Sequence, residues 1–96
     1  MAKVMAGQET VLKNQVFSLA APNAKTVLVA GDFTNWQAKA IPMKKGSTGV
    51  WTTTVKLPAG KHPYLFLVDG QWHDDPECQV RLPNPYGGQN MVRLVA

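Results

Sequence analysis

The sequence predicts an all-β domain, an immunoglobulin-like β-sandwich of antiparallel strands, and three observations predict it. Seven prolines and eight glycines cut the 96 residues into short pieces, leaving residues 8–21 as the one helix-length window free of both. Inside that window and beyond it, apolar residues alternate with polar ones in short β-branched or aromatic runs, the period of a strand with one face in a core. Turn-forming residues separate at least five such runs, with no internal repeat, linker or low-complexity segment, and that pattern fits two packed sheets. At this length one modest core and a single domain are expected, and a two-domain enzyme does not fit.

The elements follow in order. Val16-Phe17-Ser18-Leu19 alternates and reads as a strand. Residues 26–30, 50–57, 64–68 and 91–95 are the further strand runs. Leu57-Pro58-Ala59-Gly60-Lys61 reads as a tight loop with Gly60 free to take a positive φ, and Asp69-Gly70 is the strongest two-residue hairpin signal. These connections predict an antiparallel meander. The period of two puts Trp51, Thr53, Val55 and Leu57 on one face and Tyr64, Phe66 and Val68 on another, and with Phe17, Leu19, Val27, Val29 and Leu94 they form the expected core. The domain is expected to span residues 16–96 after a partly flexible N-terminal extension over residues 1–15.

The net charge of +4 comes from ten Lys and Arg scattered along the chain, with only Lys44 and Lys45 adjacent. Phosphate tracking needs a concentrated basic face, so nucleic acid is not an expected partner. Cys78 is the single cysteine, which excludes an internal disulfide and fits a reducing, cytoplasmic compartment. No apolar run has signal-peptide or membrane-spanning length, so a membrane is not an expected partner either.

Three tryptophans carry the functional signal. Trp51 sits on an alternating strand with Val55 and Leu57 and is assigned to the core. Trp36 ends the loop-like stretch Gly31-Asp32-Phe33-Thr34-Asn35-Trp36, and Trp72 follows the turn Val68-Asp69-Gly70-Gln71. Indoles placed where a chain turns suit a flat ligand face better than a core. Asp32 and Asn35 read as turn formers bonding their own backbone. In His73-Asp74-Asp75, consecutive residues on an extended chain point to opposite faces, so the two carboxylates do not form the facing pair of glycoside hydrolysis. No spaced second histidine or cysteine cluster supports a metal there. Asp75-Pro76 reads as a turn, and Cys78 as a partly buried small apolar residue. Neither a catalytic residue nor a metal ligand nor a cofactor is expected.

Val27-Leu28-Val29-Ala30-Gly31-Asp32-Phe33-Thr34-Asn35-Trp36, Gly49-Val50-Trp51, Leu57-Pro58-Ala59-Gly60, Tyr64-Leu65-Phe66-Leu67-Val68-Asp69-Gly70-Gln71-Trp72, Asp75-Pro76 and Asn84-Pro85-Tyr86-Gly87-Gly88-Gln89-Asn90 occur in one order. In that order the chain resembles the family 48 carbohydrate-binding modules, the isoamylase early-set group that includes the glycogen-binding domain of the AMP-activated protein kinase beta subunit. The resemblance covers residues 16–95 and implies an immunoglobulin-like sandwich that binds α-1,4-linked glucans such as glycogen, starch and maltooligosaccharides without catalysis. It implies that Trp36 and Trp72 stack on glucose rings, and that Gln89 or Asn90 bonds sugar hydroxyls. A lysine follows the tyrosine of the Tyr-x-Phe strand in the kinase-type pattern, and here that position is Leu65. Lys61 or His62, from the adjoining strand end, is the candidate replacement. The stretch 84–88 is closer to the modules attached to branching and debranching enzymes. An alternative is therefore a protein-interaction or scaffolding domain that docks onto a glucan-metabolising enzyme through the same aromatics. For sugar binding, Trp36 and Trp72 are expected to lie exposed and roughly coplanar, a sugar chain's width apart.

Overall fold

Alternation in the first run produces the first strand of a three-stranded sheet. In the computed structural model, which describes residues 11–84 and 87–96, β1 (Lys13–Ala20) pairs antiparallel with β5 (Val50–Leu57) along its whole length, and β4 (Lys44–Lys45) takes the other edge of β5. The strand thus begins at Lys13, three residues before the expected domain start. Residues 1–10 of the expected extension lie outside the described residues.

The second sheet has the order β3 (Ile41–Pro42), β2 (Val27–Gly31), β6 (Gly60–Val68), β9 (Gln89–Val95), β8 (Arg81–Pro83), and β7 (Gln71–His73) also pairs with β6. β2 occupies one edge of β6 at residues 64–68. β7 pairs with residues 66–68 and β9 with residues 60–64, so the two share the opposite edge, one after the other. That arrangement brings Trp72 of β7 into line with the start of β9.

The sheets face each other across Phe17, Leu19, Trp51 and Leu57 from one side and Val27, Val29, Tyr64, Phe66, Met91 and Val95 from the other. The result is the expected immunoglobulin-like sandwich of antiparallel sheets. At its centre Tyr64 meets Phe17 edge-on at 4.8 Å, and the Arg93 guanidinium lies 4.2 Å over the Phe17 ring. Tyr64 is 1% exposed, and its hydroxyl donates to the buried Asp75 carboxylate at 2.6 Å. Burial, followed by the bond to Asp75, pushes the phenol well above its ordinary value of 10.0. The unfolded chain then releases this proton first, so the stability contribution is full below pH 10.0 and is lost as pH rises beyond it. Denaturant unfolding on either side of that pH is expected to show a steep alkaline loss, and Tyr64→Phe is expected to flatten it.

The turn chemistry read from the sequence is present. Asp69 and Gly70 have φ of 50° and 84°, the left-handed pair of a two-residue hairpin between β6 and β7. The Asp69 carboxylate accepts from the backbone N–H groups of Thr26 and Lys25, 2.8 Å each, and these bonds hold it below its usual range. Gly60 has φ 134°. Cys78 is partly buried against the core, its thiol directed at the carbonyls of Val80 and Val92.

Two expectations are corrected. β5 and β6 are not neighbours in a meander, because the Pro58-Ala59 connection carries the chain from the small sheet to the large one. Leu94 is 54% exposed, since it stands opposite Lys61 on the outer face, and the inward positions of β9 are Met91 and Val95. Thr53, Val55 and Val68 are only half-buried.

Candidate functional site

A groove forms on the outer face of the larger sheet, where strand register decides which side chains meet. Leu65 and Leu67 point away from Tyr64 and Phe66 because successive strand residues alternate. Ala30 stands opposite Leu65, Trp72 opposite Leu67 and Val92 opposite Pro63, so all share that face, and Asn90 joins them two residues before Val92. The face would be open to water, yet Ala30, Leu65, Leu67 and Val92 are all buried. Part of the cover is the segment 32–39, which folds back on β2 and β6 as two 3-10 turns, Asp32–Thr34 and Trp36–Lys39.

The local sequence explains that fold. Gly31 has an extended backbone, so space and not φ demands glycine: a Cβ there would lie 2.4 Å from the Pro63 carbonyl oxygen and 2.7 Å from the Phe33 ring. Phe33 turns inward and stacks on Phe17 with 5.8 Å between ring centroids. Asn35 and Trp36 then both take left-handed φ, 52° and 55°. Asparagine tolerates that region, whereas for an indole it costs roughly 1–2 kcal/mol. Strain of this kind places Trp36 half-buried at the surface, with its ring beside Trp72, which is 49% exposed on the hairpin strand.

The two ring centroids are 6.4 Å apart and the planes meet at 75°. The pair shares one surface, but it is not coplanar as expected. The rings arise from a 3-10 turn on one side and a β-strand on the other, and an edge-to-face approach sets the positive edge of one indole on the negative face of the other. Together they stand over a groove of about 970 Å³ with Pro63 and Leu65 in its apolar wall and Asp32, Gln37, Asp74, Gln89 and Asn90 as polar groups. The Asn84 side-chain Nδ2 donates to the Asn90 side-chain Oδ1 at 3.2 Å, which orients the Asn90 side-chain NH2 as a donor.

Four of the five residues singled out from sequence, Trp36, Trp72, Gln89 and Asn90, therefore line one groove. Lys61 does not. It is exposed opposite Leu94, about 13 Å along the strand from Leu65 at the usual rise per residue. His62 is engaged elsewhere, with Nε2 2.7 Å from the Pro58 carbonyl oxygen and its ring edge-on to Phe33. The sequence reading missed Gln37, Pro63, Asp74 and Asn84 as groove residues, and it took Asp32 for a turn former only. Strand parity could have found Pro63, which shares the face of Leu65. Pro85 and Tyr86 of the quoted motif lie outside the described residues. Asp74 and Asp75 do diverge: one lines the groove and pairs with Arg81 at 3.4 Å, while the other is buried on Tyr64.

Residues 15–95 match the family model described as the glycogen recognition site of AMP-activated protein kinase. The chain is 43% identical over 60 residues to Protein PTST homolog 2, chloroplastic, of Arabidopsis thaliana, covering 62% of this chain and 11% of that protein. It is 40% identical over 78 residues to the 1,4-alpha-glucan branching enzyme GlgB of Synechococcus sp. (strain RCC307), covering 80% of this chain and 10% of the enzyme. With the human 5'-AMP-activated protein kinase subunit beta-2 it shares 46% identity over 56 residues, covering 58% of this chain and 20% of the subunit. The matched segments thus span a tenth to a fifth of these relatives' length. On a match that runs through nearly every strand of the sandwich and includes both groove tryptophans, the chain belongs to the glycogen-recognition family of AMP-activated protein kinase, a family of non-catalytic carbohydrate-binding modules.

Proposed function

We propose that the groove holds an α-1,4-linked glucan chain, with Trp36 and Trp72 as stacking platforms and Gln89 or Asn90 fixing its orientation by hydrogen bonds. The carrying observation is the indole pair meeting at 75° over an apolar floor. One face of glucose presents axial C–H groups that suit the negative face of an indole. The α-1,4 linkage also curves the chain, so successive rings turn relative to one another. Two platforms at an angle fit such a bend, while a flat β-1,4 chain reaches one platform at a time. Lys61 would meet only a chain long enough to run down the same face.

Each stack contributes roughly 0.5–1.5 kcal/mol beyond area burial, and each hydrogen bond about 1 kcal/mol net. Against the entropy of association these give an affinity in the range of about micromolar to millimolar. Weak sites of this kind gain occupancy on a polymer with many equivalent positions. Titration with maltoheptaose, β-cyclodextrin and glycogen, followed by tryptophan fluorescence and by retardation in a glycogen-containing native gel, is expected to show saturable binding. Cellohexaose is the flat control. No response to any α-glucan would refute the proposal.

Leu65→Lys bears on the same groove. Leu65 is 9% exposed in the groove wall, and a lysine there can run its stem over the apolar floor and bring an ammonium to the sugar hydroxyls. The expected result is severalfold tighter glucan binding, together with a lower melting temperature from the lost leucine packing. Calorimetric titration and a thermal melt read both.

A second reading concerns partners. The branching enzyme matched above carries this segment in a tenth of its length, and Leu82 and Leu94 are exposed on the face that bears the groove. We propose on those grounds that a glucan-metabolising enzyme is a neighbour, covalent or docked, and that this chain supplies binding and not catalysis. Cytoplasmic residence is proposed on the single thiol. Among the described residues no helix is long and apolar enough to cross a membrane.

A further inference from the structure

We infer that Thr34 is the positioning residue that holds Trp36 in its ligand-receiving orientation, a role that rests on the glucan reading of the groove. Thr34 is 4% exposed, although it lies in a surface segment. Its Oγ1 accepts from the Gly31 N–H at 2.9 Å and lies 2.8 Å from the Trp36 carbonyl oxygen and 3.0 Å from that of Gly31. A hydroxyl carries one proton, and the shorter approach directs it to Trp36. One side chain therefore ties the strand end at Gly31 to the far side of the two left-handed residues.

Among the described residues no other side-chain bond does this. Asn35 makes no side-chain cap, and its own left-handed φ is the geometry that needs support. Backbone bonds run from Asn35 N–H to the Asp32 carbonyl and from Ala38 N–H to the Asn35 carbonyl, and the 3-10 turn Trp36–Lys39 continues from there, but none of these reaches back to the strand end at Gly31 as the Thr34 hydroxyl does. The segment next to Trp36 returns toward right-handed backbone once the Thr34 hydroxyl is gone, since that region is preferred by any bulky residue. The indole would then swing away from Trp72, and the angle between the platforms would be lost. Shape alone cannot supply this function: valine fills the same volume but leaves the buried Gly31 N–H without its partner and breaks the tie to the Trp36 carbonyl.

Three proteins test it: Thr34→Val, Thr34→Ser and the unsubstituted chain. Two indoles 6.4 Å apart couple their excited states, so circular dichroism in the indole bands reports the pair geometry with no ligand present. Thr34→Val is expected to lose that signal and to bind maltoheptaose roughly tenfold more weakly or worse. Thr34→Ser, which keeps the hydroxyl, is expected to retain the signal and bind within about twofold of the parent. If Thr34→Val does not fold, Thr34→Ala makes the same comparison. An unchanged indole signal in Thr34→Val or Thr34→Ala, or a serine variant as impaired as the valine one, overturns the inference. Failure of the parent chain to bind maltoheptaose would sink the glucan reading instead, and the ligand-free signal would still decide whether Thr34 sets the pair geometry.

Discussion

Alanine in place of Trp36 or of Trp72 is expected to remove measurable glucan binding while leaving the fold in place. Trp72 is 49% exposed on a three-residue strand, and Trp36 is half-buried on a 3-10 turn outside both sheets. Neither belongs to the core cluster. Truncating a surface ring forfeits little buried area, so a melting-temperature change of a few degrees is expected. Binding responds differently. In an affinity of about micromolar to millimolar, one stack is a large share of the surplus left after association entropy, and its loss drives the complex beyond ordinary detection. Trp36→Ala keeps the Cβ that makes left-handed backbone costly, so the strain at this position stays and only Trp36→Gly would relieve it. A thermal melt beside a maltoheptaose titration reads both quantities for each variant.

Trp51→Ala is expected to do the reverse. Its ring is 8% exposed within the cluster formed by both sheets, and its Nε1 donates to the Ala21 carbonyl at 2.9 Å, stapling the chain after β1 to β5. Emptying that site removes the ring's packing and leaves a cavity, for about 3–5 kcal/mol. A domain of this size has roughly 5–15 kcal/mol in total, so the variant should melt more than about 10 °C lower. Where it remains folded, its glucan affinity should be near that of the parent, since Trp51 lies on the far side of the core from the groove. Equal destabilisation by all three tryptophan substitutions would contradict the division of labour between them.

How much of this was legible in the sequence depends on the range of the interaction involved. The Asp69-Gly70 hairpin and the role of Trp51 follow from two-residue turn chemistry and from alternation, both local. The tight loop at Pro58-Ala59 was misread as a meander connection because a short loop serves a meander and a sheet-to-sheet corner equally well, and only the pairing partners distinguish them. Leu94 was misplaced for a related reason. In Met91-Val92-Arg93-Leu94-Val95 apolar residues fall on both faces, so the choice of inward set waits on the register that puts Leu94 opposite Lys61. Asp75 read as a turn former, which it is, since its carboxylate accepts from the Glu77 N–H. Its burial on Tyr64, eleven residues away, had no local sign.

The groove divides in the same way. Trp36, Trp72, Gln89 and Asn90 were legible because a resemblance supplied positions that periodicity could not. The angle between the indoles was not legible, since it depends on two successive left-handed residues and on a buried threonine beneath them. Lys61 was chosen for its charge and its nearness along the chain. Strand geometry carries it down the face and out of the groove.

The central claim is that two of three indoles receive the sugar while the third holds the core. Three tryptophans give three indole N–H resonances in a proton–nitrogen correlation spectrum, and a maltoheptaose titration follows all three at once. Progressive, saturable shifts of the Trp36 and Trp72 signals with a stationary Trp51 signal are the expected result. Stationary Trp36 and Trp72 signals at saturating maltoheptaose, or a response confined to Trp51, would contradict the account.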